Sequence, residues 1–206
     1  MSQASLRGSE WDELDVQHRG ERVTYVFRRA PGAARFEPWV VVAPSAILRR
    51  LGRDGLGLYA GRTFRRDQYV GRYPTHDVVG HYPSRQAALA APETRRRVRR
   101  GRDKLIALRA PQGGVLLVDG EGAGSPSPHI ERCNDPRGLP ALTPNADLTD
   151  AGWLRVLHAR VPPFDLGKTI DANIASELRI DYGGQEYWDM MERLGTSAAY
   201  AIEVED

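Results

Sequence analysis

The chain has 206 residues, with 29 Lys or Arg against 27 Asp or Glu, for a formal net charge of +2. That length suits one domain with a sizeable core, and the near-neutral balance gives no global attraction to nucleic acid or membrane. A single cysteine, Cys133, excludes an internal disulfide and a cysteine-built zinc site.

Residues 1–20 read as a polar N-terminal segment, and Met1 to Arg22 carries no apolar signal segment. With no apolar run long enough to span a bilayer, the expected setting is the cytoplasm or nucleus. Glu21 to Arg28 alternates through Val23, Tyr25 and Phe27, which predicts a strand. Trp39 to Val42 predicts a short buried strand, and Ser45 to Leu51 a helical turn. Gly55-Leu56-Gly57-Leu58-Tyr59-Ala60-Gly61 follows, then a strand over Gln68 to Tyr73. Ser84 is placed to cap a helix over Arg85 to Ala90, and Pro92 to open another over Glu93 to Arg100. Lys104 to Arg109 and Val115 to Val118 predict a hairpin turning at Pro111-Gln112-Gly113-Gly114. Gly120 to Pro128 and Asn134 to Pro144 read as loops. Trp153 to Val161 and Glu177 to Tyr182 read as strands, and Gln185 to Leu194 as a short helix. The fold class expected is mainly β with small helices, as one domain over residues 21–206.

Several residues invite a chemical reading beside a plain one. Gly55 and Gly57 let a backbone pass close to a ligand, or simply make a tight turn. Asn134 offers a donor and an acceptor to a ligand, or stabilises a turn. Cys133 with His129 suggests a thiol and its base, or a buried cysteine. The five histidines show no metal-ligand spacing. Arg95, Arg96, Arg97, Arg99 and Arg100, in an arginine-rich stretch at 93–103, form a solvated helix face or a contact for phosphates or an acidic surface. The only lysines are Lys104 and Lys168. Genome base composition accounts for that bias, and an enzyme acting on lysine would also carry few self-modification sites.

Four separated segments, spanning roughly Gly55 to Trp188, resemble a known family. The glycine segment and the strand ending Val70-Gly71-Arg72-Tyr73 resemble the opening glycine motif and Ile-Gly-x-Tyr strand of SET domains. Leu117-Val118-Asp119-Gly120 is similar to that family's Ile-Asp-Ala step. Cys133-Asn134-Asp135-Pro136, with Pro144-Asn145-Ala146, resembles its Asn-His-Ser-Cys-x-Pro-Asn segment. Ile174-Ala175-Ser176-Glu177-Leu178-Arg179-Ile180-Asp181-Tyr182-Gly183 resembles its Ile-x-x-Gly-Glu-Glu-Leu-x-Phe-Asp-Tyr-Gly signature, with Tyr187-Trp188 following. The chain departs from the pattern at Asp135, where the family has histidine, at Glu131, near its arginine, and at Ile180, where it has Phe or Tyr.

The resemblance implies a SET-type fold of several small sheets with a threaded C-terminal segment. It implies a protein-lysine N-methyltransferase that uses S-adenosylmethionine and needs no metal. Gly55, Gly57, Leu58, Tyr59, Asn134, Asp135 and Trp188 are its expected cofactor contacts. Tyr182 and Tyr73 are its expected catalytic hydroxyls, and Ile180 and Tyr182 line the expected lysine channel. The implied partner is a lysine-bearing protein, with a histone as the family-level expectation. The alternatives are a SET-like binding module without catalysis, and a chromatin or nucleic-acid adaptor built on the arginine cluster.

Overall fold

In the computed structural model, residues 10–29, 37–75, 77–100, 104–120, 128–182 and Asp189 are described. The molecule is mainly β. An antiparallel sheet is built from β1 (Trp11–His18), β2 (Glu21–Arg28), β3 (Val40–Pro44) and β4 (Leu56–Ala60), in that order, with α1 (Ala46–Arg50) between the last two. In chain order there follow β5 (Phe64–Arg65), β6 (Tyr69–Arg72), β7 (Val78–Tyr82), α2 (Arg85–Ala90), α3 (Pro92–Arg99), β8 (Leu105–Arg109) and β9 (Val115–Asp119). The last strands are β10 (Ala146–Leu148), β11 (Trp153–Val156) and β12 (Arg160–Val161). They form small sheets in the orders β10-β11-β6, β12-β5 and β7-β9-β8. No helix among the described residues is long and apolar enough to cross a membrane.

Local chemistry explains the elements. Arg19 and Gly20 both take positive φ, 51° and 86°, between His18 and Glu21, which are paired. This is the two-residue turn whose twist matches a hairpin. Ser45 Oγ accepts from Leu48 N (3.0 Å) and Ser84 Oγ from Ala87 N (3.1 Å), so each hydroxyl caps its helix. Pro92 opens α3, where its missing N–H costs nothing.

The core forms on both faces of the first sheet. On one face Val26, Val40, Val42 and Leu58 pack with Val70, Leu154, Val156, Leu178 and Ile180. On the other, Val23, Val41, Ala43 and Tyr59 pack with Ile170 and Phe164. β3 therefore buries both faces, which is why it reads as an unbroken apolar run rather than an alternation.

Three elements differ from the sequence expectation. The polar segment at 1–20 contains β1. Its acidic residues are used in pairing: Asp15 binds Arg22 at 2.5 Å and Thr24 at 2.6 Å, and Asp12 pairs with Arg29. β1 is an edge strand, where charge is tolerated. The strand expected over Trp153 to Val161 divides into β11 and β12, because Leu157, His158 and Ala159 leave the ladder. Glu177 to Tyr182 is not a continuous strand. It holds only isolated bridges, Tyr59 to Glu177 and Asn134 to Arg179.

The hydrogen bonds of that last segment are instead shared among Leu58, Asn134, Asn145 and Ala146. Leu178 N donates to Leu58 O (2.7 Å), Ile180 N to Asn134 O (3.1 Å), and Arg179 N to Asn145 Oδ1 (2.8 Å). Asn145 N and Ala146 N both donate to Arg179 O, at 3.1 and 3.0 Å. A regular ladder is lost, but the buried backbone groups remain satisfied. The segment thereby runs between β4 and the stretch 134–146. The helix expected over Gln185 to Leu194 lies outside the described residues, Asp189 excepted.

Candidate active site

The end of the segment, Ile180 to Tyr182, lines a cleft of about 420 Å³. Tyr73, at the end of β6, reaches the same cleft, as do Lys104, Glu131, Ile180 and Tyr182. Tyr182 is fixed at three points. Its hydroxyl donates to Cys133 O (2.6 Å), its N–H donates to Asp135 Oδ2 (3.0 Å), and its carbonyl accepts from Arg85 Nη2 (3.0 Å). The Tyr73 hydroxyl donates to Lys104 O (2.5 Å). Gly120 lies against that ring, and a Cβ there would collide with the Tyr73 hydroxyl. The glycine after Asp119 is thus required by the tyrosine's position.

Two phenols donating to main-chain carbonyls make an oxygen-rich wall. Toward a further group, such a phenol acts as an acceptor. That chemistry suits an amine N–H or a polarised C–H. Ile180, which lines the cleft beside Tyr182, gives it an apolar side.

A second groove, about 370 Å³, opens along Asp135, Arg137, Leu139, Leu142, Pro144 and Asp181. Pro144 and Asp181 border both cavities, so groove and cleft adjoin. Asp135 holds the groove's first turn through Arg137 N to its Oδ1 (2.8 Å), while its other oxygen holds Tyr182. Asp135 is therefore a strut between groove and cleft.

The other expected cofactor contacts sit differently from the simplest expectation. The space where Gly57 lacks a Cβ is filled by the Glu177 carboxylate. Gly55 abuts the Leu48 side chain. Leu58 and Tyr59 are fully buried, and the Tyr59 hydroxyl donates to Pro44 O (2.7 Å) and accepts from Ala46 N (2.8 Å). Asn134 is 3% exposed and donates to Leu56 O (3.0 Å) and Glu177 Oε1 (3.2 Å). Gly57, Leu58, Tyr59 and Asn134 thus form a buried wall of packed groups, and neither they nor Gly55 line the cleft or the groove. Trp188 lies outside the described residues.

Glu177 is the hub of that wall. Its carboxylate also accepts from Ser45 Oγ (2.5 Å) and Ile47 N (3.1 Å). Burial raises its pKa, against the lowering effect of the hydrogen bonds from Ser45, Ile47 and Asn134. Desolvation also drives the Cys133 thiol well above its ordinary range. That is unsuited to a nucleophile, so the thiol–base reading fails. His129 instead bridges Glu13 (2.8 Å) and Glu131 (3.3 Å). Burial pushes its pKa down, but the hydrogen bonds its ring nitrogens donate to the two carboxylates, with their negative charge, outweigh burial and raise it.

The arginine cluster divides in two. Arg97 is spent on Asp77 (2.9 Å) and Asp119 (2.7 Å), the latter wholly buried. Arg95, Arg96, Arg99 and Arg100 are exposed, and Arg96 pairs with Glu93. Sequence reasoning treated the cluster as uniform, and Asp77 and Asp119 gave no local signal of their pairing with α3. It also passed over Lys104 and Glu131 as cleft residues, because neither belongs to a spacing pattern. No family model, curated protein or solved structure matches the chain.

Proposed function

We propose that the chain is a SET-type protein-lysine N-methyltransferase that uses S-adenosylmethionine, with Tyr182 orienting the substrate amine. The observation that carries this reading is the meeting of Tyr73, Ile180 and Tyr182, from distant parts of the chain, in one cleft beside a separate groove. The passage of residues 177–180 between β4 and the stretch 134–146 is in keeping with the threaded segment of that fold.

The donor set fits a sulfonium ligand. Tyr73, Lys104, Cys133 and Tyr182, whose phenol and carbonyl oxygens are hydrogen-bonded in pairs, line the cleft, and apolar Leu139 and Leu142 line the groove. Asp135 and the other groove residues would hold S-adenosylmethionine, with the main chain at Gly55–Gly57 and Asn134 as the further contacts that the family resemblance implies. When bound, that group supplies an activated methyl.

The chain's own residues do the rest. Ile180 and the aliphatic wall exclude water and favour the neutral form of an entering amine. Tyr182 and Tyr73 accept from its N–H groups and fix its approach, which is the main catalytic need in a displacement between two bound partners. The acceptor is a lysine of a protein, and histones are the first substrates to try.

Calorimetry with S-adenosylhomocysteine tests the reading. Saturable heat, with a concentration-dependent rise in Tm, is expected. No heat and no thermal shift with either S-adenosylhomocysteine or S-adenosylmethionine would overturn it.

A further inference from the structure

We propose that Lys104 is a methyl acceptor within this chain's own cleft, an inference that rests on the methyltransferase reading. The chain has only two lysines, and they stand in opposite settings. Lys168 lies on the surface, 58% exposed, paired with Asp165 at 3.4 Å. Lys104 lines the cleft with Tyr73, Ile180 and Tyr182.

Its backbone is locked to the cleft wall, since its carbonyl accepts from the Tyr73 hydroxyl (2.5 Å) and from Gly120 N (2.8 Å). The side chain therefore starts from a fixed point beside one expected catalytic hydroxyl. Its positive charge acts on Cys133, whose carbonyl takes the other hydroxyl, that of Tyr182.

The cleft also carries a group suited to an amine. Glu131 is 5% exposed, and its Oε2 is buried with no hydrogen-bond partner. An unmet buried carboxylate oxygen costs free energy until an N–H reaches it. Oε1 is already engaged with His129, so Oε2 is the oxygen left for an amine in the cleft.

The step balances as follows. The Lys104 ammonium gives one proton to Glu131 Oε2 and becomes neutral. Its lone pair then forms the nitrogen–carbon bond as the carbon–sulfur bond of S-adenosylmethionine breaks. Sulfur keeps the bonding pair and leaves as the neutral thioether, and Glu131 returns its proton to water.

The test uses the full chain with methyl-labelled S-adenosylmethionine, followed by intact-mass measurement and peptide mapping. Label on Lys104 is expected, with none on Lys168 and a rate per molecule that does not change with protein concentration. Lys104→Arg should abolish the label and Lys168→Arg should leave it. Glu131→Gln should slow self-labelling about tenfold and move its pH profile upward. A readout free of turnover is acetylation by acetic anhydride, where S-adenosylhomocysteine should protect Lys104 but not Lys168. Methyl transfer to added proteins with Lys104 unlabelled would overturn this proposal and leave the enzyme reading standing. Equal labelling of both lysines, a rate proportional to protein concentration, or no protection of Lys104 would each overturn it. Absence of transfer to any acceptor would overturn both.

Discussion

On the proposed function, Ile180 is the side chain that sets how much room the substrate amine has. It lies beside Tyr182 on the cleft wall, is nearly buried, and carries no hydroxyl. A tyrosine here would place a hydroxyl and a ring into the space that a second methyl group needs. Wild-type enzyme is therefore expected to add more than one methyl per lysine, and Ile180→Tyr to shift product toward monomethyl-lysine. Mass spectrometry of the product reads this, and an unchanged ratio contradicts the placement of the channel. Glu177 carries a pH prediction of its own. Its pKa is raised in the folded state, so the folded chain holds that proton more tightly than the unfolded chain. The contribution is full below the unfolded carboxyl value of about 4.3 and is lost as pH rises through the raised value. Thermal denaturation across this range should show that loss in wild type, and Glu177→Gln should flatten it.

At the scale of elements, α3 shows one sequence run serving two purposes. Arg97 neutralises Asp119, whose side chain is wholly buried at the end of β9. Removing it leaves a buried carboxylate short of its partner, so Arg97→Gln should cost about 3 kcal/mol in denaturant unfolding. Replacing Arg95, Arg96 and Arg99 with Gln should leave stability unchanged. On a highly charged protein substrate it should raise KM and flatten the salt dependence, because these side chains are exposed. A short neutral peptide should show no change, and equal loss on both substrates would mark the exposed arginines as structural.

The same scale shows how much was legible in the sequence. β2, β3, β8 and β9 announce themselves through alternation or apolar runs, and Ser84 and Pro92 announce their helices. β1 does not, because its acidic residues, which meet arginines of and beside β2, read as a solvated segment, while Trp11 and Val16 pack against the core. The irregularity of 177–182 is also hidden. Its partners, Leu58, Asn134 and Asn145, are remote in sequence, and two of them bind it partly through side chains.

For the whole molecule, several small sheets and irregular crossings bring distant segments to one cleft. Tyr73 and Tyr182 could be paired from the sequence only through the family resemblance, since no local spacing joins them. That Lys104 and Glu131 line the same cleft was not legible either, because they come from separate segments that only the fold brings to it. The adjoining groove at 135–142 comes from a stretch that reads only as a loop, where composition carries no record of shape. What the arrangement amounts to is an oxygen-lined cleft next to a separate groove.

Transfer of labelled methyl from S-adenosylmethionine to separate histones, ribosomal proteins and cell lysate, comparing wild type with Tyr182→Phe, tests the account most directly. The account predicts methyl-lysine with wild type. It predicts turnover lower by about a hundredfold with Tyr182→Phe, at unchanged affinity for S-adenosylhomocysteine, because the lost hydroxyl acts mainly in the transition state. Full activity in Tyr182→Phe, or no methyl-lysine on any protein with wild type, would contradict it.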